Sequence, residues 1–160
     1  MMWSCWFGTG TARLKRILVP IDFSAQSIKA LRYAVPFAEK LDAIICLVSV
    51  VETGSFLNDL KHVPIIFSEE TRAEDAKARL VILAQKEIGK LIPVIPQVRA
   101  GKPYEEIVAA AKRLEADLII ISTHGHTGLK HALLGSTAEL VVRHAPCPVL
   151  VVRERERDFV

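Results

Sequence analysis

The chain has 160 residues, a formal net charge of +3, and 51% hydrophobic residues although only 6% are aromatic. Apolar content this high with so little net charge argues against a disordered chain, and no run approaches the ~18 uncharged apolar residues that a membrane-spanning helix needs. Arg13, Lys15 and Arg16 precede the first acidic residue, Asp22, so residues 17–160 hold 18 basic and 18 acidic side chains and are formally neutral. That body has no excess of basic residues with which to bind a polynucleotide.

The length fits one domain that buries enough surface to fold without disulfide or metal. Cys5, Cys46 and Cys147 are far apart and form neither a CxxC nor a zinc spacing. Cys46 and Cys147 sit in apolar runs and are expected to be buried small hydrophobes, a usage that fits the reducing cytoplasm. Residues 1–14 are read as a loose extension, too short for a signal peptide's apolar region. Residues 15–153 are read as the domain, and residues 154–160 as a charged tail whose alternating signs compensate one another.

Along the chain, short apolar runs alternate with helical periodicity. Lys15–Ile21 is short and β-branched and reads as a buried strand. Ser24 then caps a helix whose apolar positions Ile28, Leu31, Val35 and Ala38 share one face, and Pro36 is expected to kink that helix or end it early. Ala43–Val51 is a second strand, and Glu52–Phe67 an irregular stretch. A long helix starts near Ser68, with Ala73, Ala76, Leu80, Leu83 and Glu87 marking its faces and Gly89 at its end. Leu91–Ala100 contains Pro93 and Pro96, which places this strand at a sheet edge. After the Gly101–Pro103 turn comes a helix over Tyr104–Leu114, then a buried strand at Asp117–Ser122. A polar loop over Thr123–Leu134 leads to a helix opened by Gly135-Ser136-Thr137, which Pro146 and Pro148 close. Val149–Val152 forms the last strand. Repeated strand–helix units with strands this apolar predict an α/β fold, a parallel sheet covered by helices on both faces with right-handed crossovers. Ligands of such sheets bind beyond the strand C-termini where strand order reverses.

The chemistry concentrates in Ser122-Thr123-His124-Gly125, nine residues, then Gly135-Ser136-Thr137. Gly135-Ser136-Thr137 stands where a helix begins, and free N–H groups with two hydroxyls make an anion site there. Spacing alone leaves two readings open, a phosphate chain held between the Gly125 loop and the helix start, or glycines that only turn the chain. Asp22, at the end of the first strand, either contacts a ligand or helps cap the helix that Ser24 opens. His124, His126 and His131 share the loop, but no carboxylate set accompanies them and no metal site is assigned.

These motifs resemble those of the universal stress protein family, whose pattern is Gly, two residues, Gly, nine residues, then Gly with Ser or Thr. Gly125 and Gly135 match the second and third glycines, and Ser136 and Thr137 the hydroxyl positions; Ser122 replaces the first glycine. ILVPIDFS (Ile17–Ser24), GKPYEEI (Gly101–Ile107) and APCPVLVVR (Ala145–Arg153) extend the resemblance from Lys15 to Arg153. It implies a doubly wound, five-stranded parallel sheet in the order 3-2-1-4-5. It also implies a cytoplasmic, nucleotide-binding stress-response regulator that holds ATP, ADP or AMP, with Mg2+ carried on the nucleotide. Asp22 would bond the adenosine part, and the backbone at Pro20, Ile21 and Val50 would border the base. Ile121, Ser122, His124 and Gly125 would face ribose and phosphates, and Gly135, Ser136 and Thr137 would bind the phosphates.

The resemblance further implies a homodimer joined through Val149, Leu150, Val151 and Val152, an apolar run with the character of an unprotected sheet edge. Two alternatives stand beside the nucleotide reading. One is an ATP-free member acting as a protein-interaction module; the other is a slow ATP hydrolase. Against an enzyme, Pro20–Ser24 holds no glycine-rich phosphate loop, and the chain has no GxxxxGK[ST] pattern. No membrane or nucleic-acid partner is expected.

Overall fold

The computed structural model describes residues 15–52, 69–123 and 135–153. Nine elements alternate: β1 (Arg16–Pro20), α1 (Ala25–Leu41), β2 (Ile44–Val51), α2 (Glu69–Glu87), β3 (Val94–Ala100), α3 (Pro103–Arg113), β4 (Leu118–Ser122), α4 (Ser136–His144) and β5 (Val149–Val152). The strands form one parallel sheet in the order β3-β2-β1-β4-β5, as the resemblance implied. The readings made of residues 1–14, 53–68, 124–134 and 154–160 lie outside the described residues.

Side chains alternate across a strand, so the central strands feed two cores. Ile17, Val19 and Ile21 of the β1 segment join Leu31, Ala34, Leu47 and Leu80 on the α1–α2 side. Leu18, Cys46 and Val48 join Ile107, Ala111, Ile119 and Val141 on the α3–α4 side. Ile17, Leu18, Leu47, Leu80, Ile119 and Val141 are fully buried. This is the two-faced burial that the run of uninterrupted apolar strands required.

Pro36 does not end α1, which continues to Leu41. The buried residues Leu31 and Ala34 precede it and buried Ala38 follows on the same face, so packing on both sides of the proline offsets its missing donor. The helix stops at Asp42, whose φ of +53° and N–H bond to the Ala38 carbonyl make a left-handed cap. Cys46 is buried as expected, whereas Cys147 is only half-buried because it precedes the edge strand β5. Burial pushes both thiols above the ordinary value, which makes poor nucleophiles of them.

The edge placement of β3 has a specific geometry. The Pro93 carbonyl accepts from Ile45 N–H and the Gly101 N–H donates to Val51, so alternate residues counted from Pro93 face β2. Pro96 stands between them, and its proton-less nitrogen points to the open edge, where nothing is lost.

An ion pair ties α1 to α2. Arg32 donates from Nε to Glu87 at 2.8 Å and from Nη2 at 3.2 Å, and the Glu87 side chain is 9% exposed. The hydrogen bond from Arg32 holds the Glu87 carboxyl below its ordinary value of 4.5. A carboxyl lowered on folding contributes stability above its unfolded pKa, and that contribution is lost as the pH falls through the folded value. Glu87→Gln is therefore expected to cost about 1 kcal/mol near neutrality. Urea titrations of both proteins at a series of pH values should show the difference vanish as the pH drops below the ordinary carboxylate range.

Candidate functional site

The chain moves from β1 outward to β2 and β3, then returns to place β4 on the other side of β1, so strand order reverses between β1 and β4. The two strands pair at Ile17–Leu118 and Leu18–Ile119, whereas β1 stays paired with β2 through Pro20–Val48. The reason is readable in the hydrogen-bond parity. Arg16 turns its carbonyl to β4, accepting from Asp117 N–H, while Ile21 turns its N–H to β2, donating to Val48 at 2.8 Å. Pro20 shares the parity of Arg16, so its nitrogen faces β4 and has no proton to offer. A proline at this position ends the β1–β4 ladder and opens a crevice at the strand C-termini.

That crevice is a cleft of about 840 Å3, in the range of small-molecule sites. Nine of the eleven residues singled out from the sequence line it: Pro20, Ile21, Asp22, Val50, Ile121, Ser122, Gly135, Ser136 and Thr137. The other two, His124 and Gly125, lie outside the described residues, as do His126 and His131. Among the described residues no three His, Cys, Asp or Glu groups gather to hold a metal ion.

At one wall, Asp22 fulfils the capping reading and also lines the cleft. Its Oδ1 accepts from Ser24 N–H at 3.0 Å and from Ser24 Oγ at 2.6 Å, and Ser24 Oγ in turn accepts from Ser27 N–H at 3.1 Å to cap α1. Phe23, between them, has φ +64°. A residue with a Cβ pays about 1–2 kcal/mol to enter that region, and such costs persist at sites where surrounding contacts hold them.

The opposite wall is the start of α4. Thr123 is buried; its N–H donates to Val152 at 3.0 Å and its carbonyl accepts from Gly135 N–H at 2.7 Å. These bonds fix the N-terminus of α4 beside the C-terminal end of β4. Gly135 is the N-cap, and having no side chain it makes no side-chain cap hydrogen bond to the first-turn amides. Its φ of −67° is open to any residue, so no backbone strain demands glycine there. Ser136 and Thr137, which carry hydroxyls and first-turn amides at the positive end of the helix, line the cleft beside Gly135.

A third wall was not anticipated. Thr71, Arg72, Asp75, Ala76 and Arg79 of α2 line the cleft together with Phe23 and Glu52. The Arg79 guanidinium carbon lies 3.9 Å from the centre of the Phe23 ring, and Arg79 Nη1 lies 3.9 Å from Asp75 Oδ2. Positions 72, 75 and 79 follow helical spacing beside the apolar stripe of Ala76, Leu80 and Leu83, the one sequence signal that marks them. The described lining thus holds three carboxylates, Asp22, Glu52 and Asp75, against two guanidiniums. It is no basic patch, in keeping with the neutral body of the chain.

The profile of the universal stress protein family matches residues 13–153. The chain is 34% identical over 146 residues to Universal stress protein MJ0531 of Methanocaldococcus jannaschii, spanning 90% of this chain and 85% of that protein. It is 36% identical over 145 residues to Universal stress protein YxiE of Bacillus subtilis, spanning 86% and 98%. Among solved structures, hypothetical protein MJ0577 superimposes with a TM-score of 0.74 at 30% identity, over 91% of this chain and 99% of that one. Two more distant structures share the fold: a universal stress protein in complex with cAMP, at 18% identity and TM-score 0.64 over 89% and 98% of the chains, and one from Archaeoglobus fulgidus in complex with dAMP, at 20% and 0.61 over 87% and 98%.

Proposed function

Because this chain belongs to the universal stress protein family, we propose that it is a cytoplasmic, adenine nucleotide-binding regulator of the stress response. The observation that carries the reading is the cleft at the switch point, where Asp22 lines one side and the glycine-capped start of α4 the other. A cavity of about 840 Å3 has room for far more than an inorganic anion. Amides and hydroxyls at Gly135, Ser136 and Thr137 suit phosphates, and the apolar floor of Pro20, Ile21, Val50 and Ile121 suits a base. Fold relatives whose structures hold cAMP and dAMP support the same ligand class. Ser122, in place of the family's first glycine, is among the residues that line the cleft. In this reading magnesium would be carried in on the phosphates of the nucleotide. Calorimetric titration with ATP, ADP and AMP tests the reading. Saturable binding of about one nucleotide per chain is the expected result, and absence of heat with all three would refute it.

The regulator acts as a homodimer in this proposal. β5 is an edge strand of four uncharged residues, and Val149, Leu150 and Val151 remain half-buried in the single chain. A second copy pairing there would cover an edge on which no other described strand lies. Val151→Lys is expected to shift the dimer to monomer by at least about tenfold in dissociation constant, since a lysine on an edge strand opposes pairing. Light scattering over a concentration series reads the shift; an unchanged mass would place the dimer contact elsewhere.

A further inference from the structure

We infer that Arg79 is a positioning residue for the cleft: by holding the Phe23 ring from α2 it keeps the turn that carries Asp22 in its left-handed form. This role rests on the nucleotide reading for its ligand and adds to it a wall that reaches the Asp22 turn through Phe23.

Three observations join. Phe23 has φ +64°, a region that a bulky side chain occupies only where its surroundings hold it. The ring is held on two sides. It packs partly against the α1–α2 core, and the Arg79 guanidinium lies 3.9 Å from its centre. Asp75, one helical turn before Arg79, lies 3.9 Å from the same guanidinium.

The turn then transmits the constraint. The hydrogen bonds from Ser24 to Asp22 Oδ1 span Phe23. Rotation of Phe23 to an ordinary negative φ would break them and swing the Asp22 carboxylate away from its place in the cleft. Ser24 is also the cap of α1, so one residue on α2 governs both the ligand-facing carboxylate and the start of the next helix. Arg79 lines the cleft as well, and the rival role is direct attraction of the ligand's phosphates.

Two measurements on the full chain separate these roles. In the ligand-free protein, Arg79→Met should speed hydrogen exchange at the Ser24 amide about threefold to fivefold, the factor set by loss of a half-exposed cation–π contact. Exchange at the Ile119 amide, in the buried centre of β4, should not change. Arg79→Lys keeps a cation over the ring and should restore slow exchange. With ligand, Arg79→Met should weaken adenosine, AMP and ATP by a similar factor. That loss should disappear in an Asp22→Ala background, because the two residues then act through one group. Unchanged Ser24 exchange in Arg79→Met would overturn the role. So would a loss that grows from adenosine to ATP, or losses that add across the double variant. If the wild-type chain binds none of the three compounds, the nucleotide reading fails, and the exchange measurement still decides whether Arg79 positions the Asp22 turn.

Discussion

Gly135→Leu is expected to weaken adenine nucleotide binding by about 100-fold or more while the domain stays folded. The cap glycine has φ −67° and ψ 151°, values a leucine adopts without strain, so the backbone tolerates the change. The loss arises in the cleft. A branched side chain at the cap would stand where phosphate must approach the Ser136 and Thr137 amides. Two charge-assisted hydrogen bonds at roughly 1.5 kcal/mol each amount to about 3 kcal/mol, or a factor above 100. Gly135→Ser sharpens the test. Serine is a better helix cap than leucine and satisfies a first-turn amide with its own oxygen. It should hold or raise thermal stability yet reduce nucleotide affinity, because it occupies the donor the phosphate needs. If both variants bind as the wild type does, the phosphate does not rest on α4.

Leu47→Ala should cost about 3 kcal/mol of stability. Leu47 is fully buried in β2, between the central strand β1 and the edge strand β3, and packs in the α1–α2 core. The cavity left there is closed by sheet on both sides and by a helix above, so collapse around it is restricted. For a domain of this size about 3 kcal/mol lowers the melting temperature by roughly 10 °C, a large share of a typical folding free energy. Leu91→Ala provides the contrast. That leucine is 94% exposed, and its truncation should leave the melting temperature within about 2 °C. Calorimetric melts of the two variants check both statements.

Much of this architecture is legible in the amino-acid sequence. The strands stood out as apolar runs, and Pro93 with Pro96 marked the edge strand. Strand order came from family resemblance, since periodicity carries no information about which strands are neighbours. Asp22, Ser122 and Gly135–Thr137 were found because they sit at strand ends and at a helix start, where local sequence has a fixed geometric meaning. The α2 wall was not found. Arg72, Asp75 and Arg79 read in one dimension like any solvated helix face, and only the packing of α2 beside β2 and β3 turns them toward the cleft. Pro20 was seen as a border of the base. Its second part, ending the β1–β4 ladder, depends on which way its nitrogen points relative to two neighbours that are distant in sequence. The left-handed Phe23 gave no signal either, because nothing in Asp-Phe-Ser demands it; the surrounding contacts impose it. Pro36 shows the same override, with burial on both sides carrying a helix through a residue that usually stops one.

The most direct measurement of the central claim is the nucleotide content of the purified protein. Chains isolated without added nucleotide are denatured, and the released small molecules are separated and identified by chromatography and mass. The cleft between Asp22 and the start of α4 predicts an adenine nucleotide released from the wild-type protein and little or none from Gly135→Leu. Equal amounts from both proteins, or none from the wild type together with no heat on adding ATP, ADP or AMP, would contradict it.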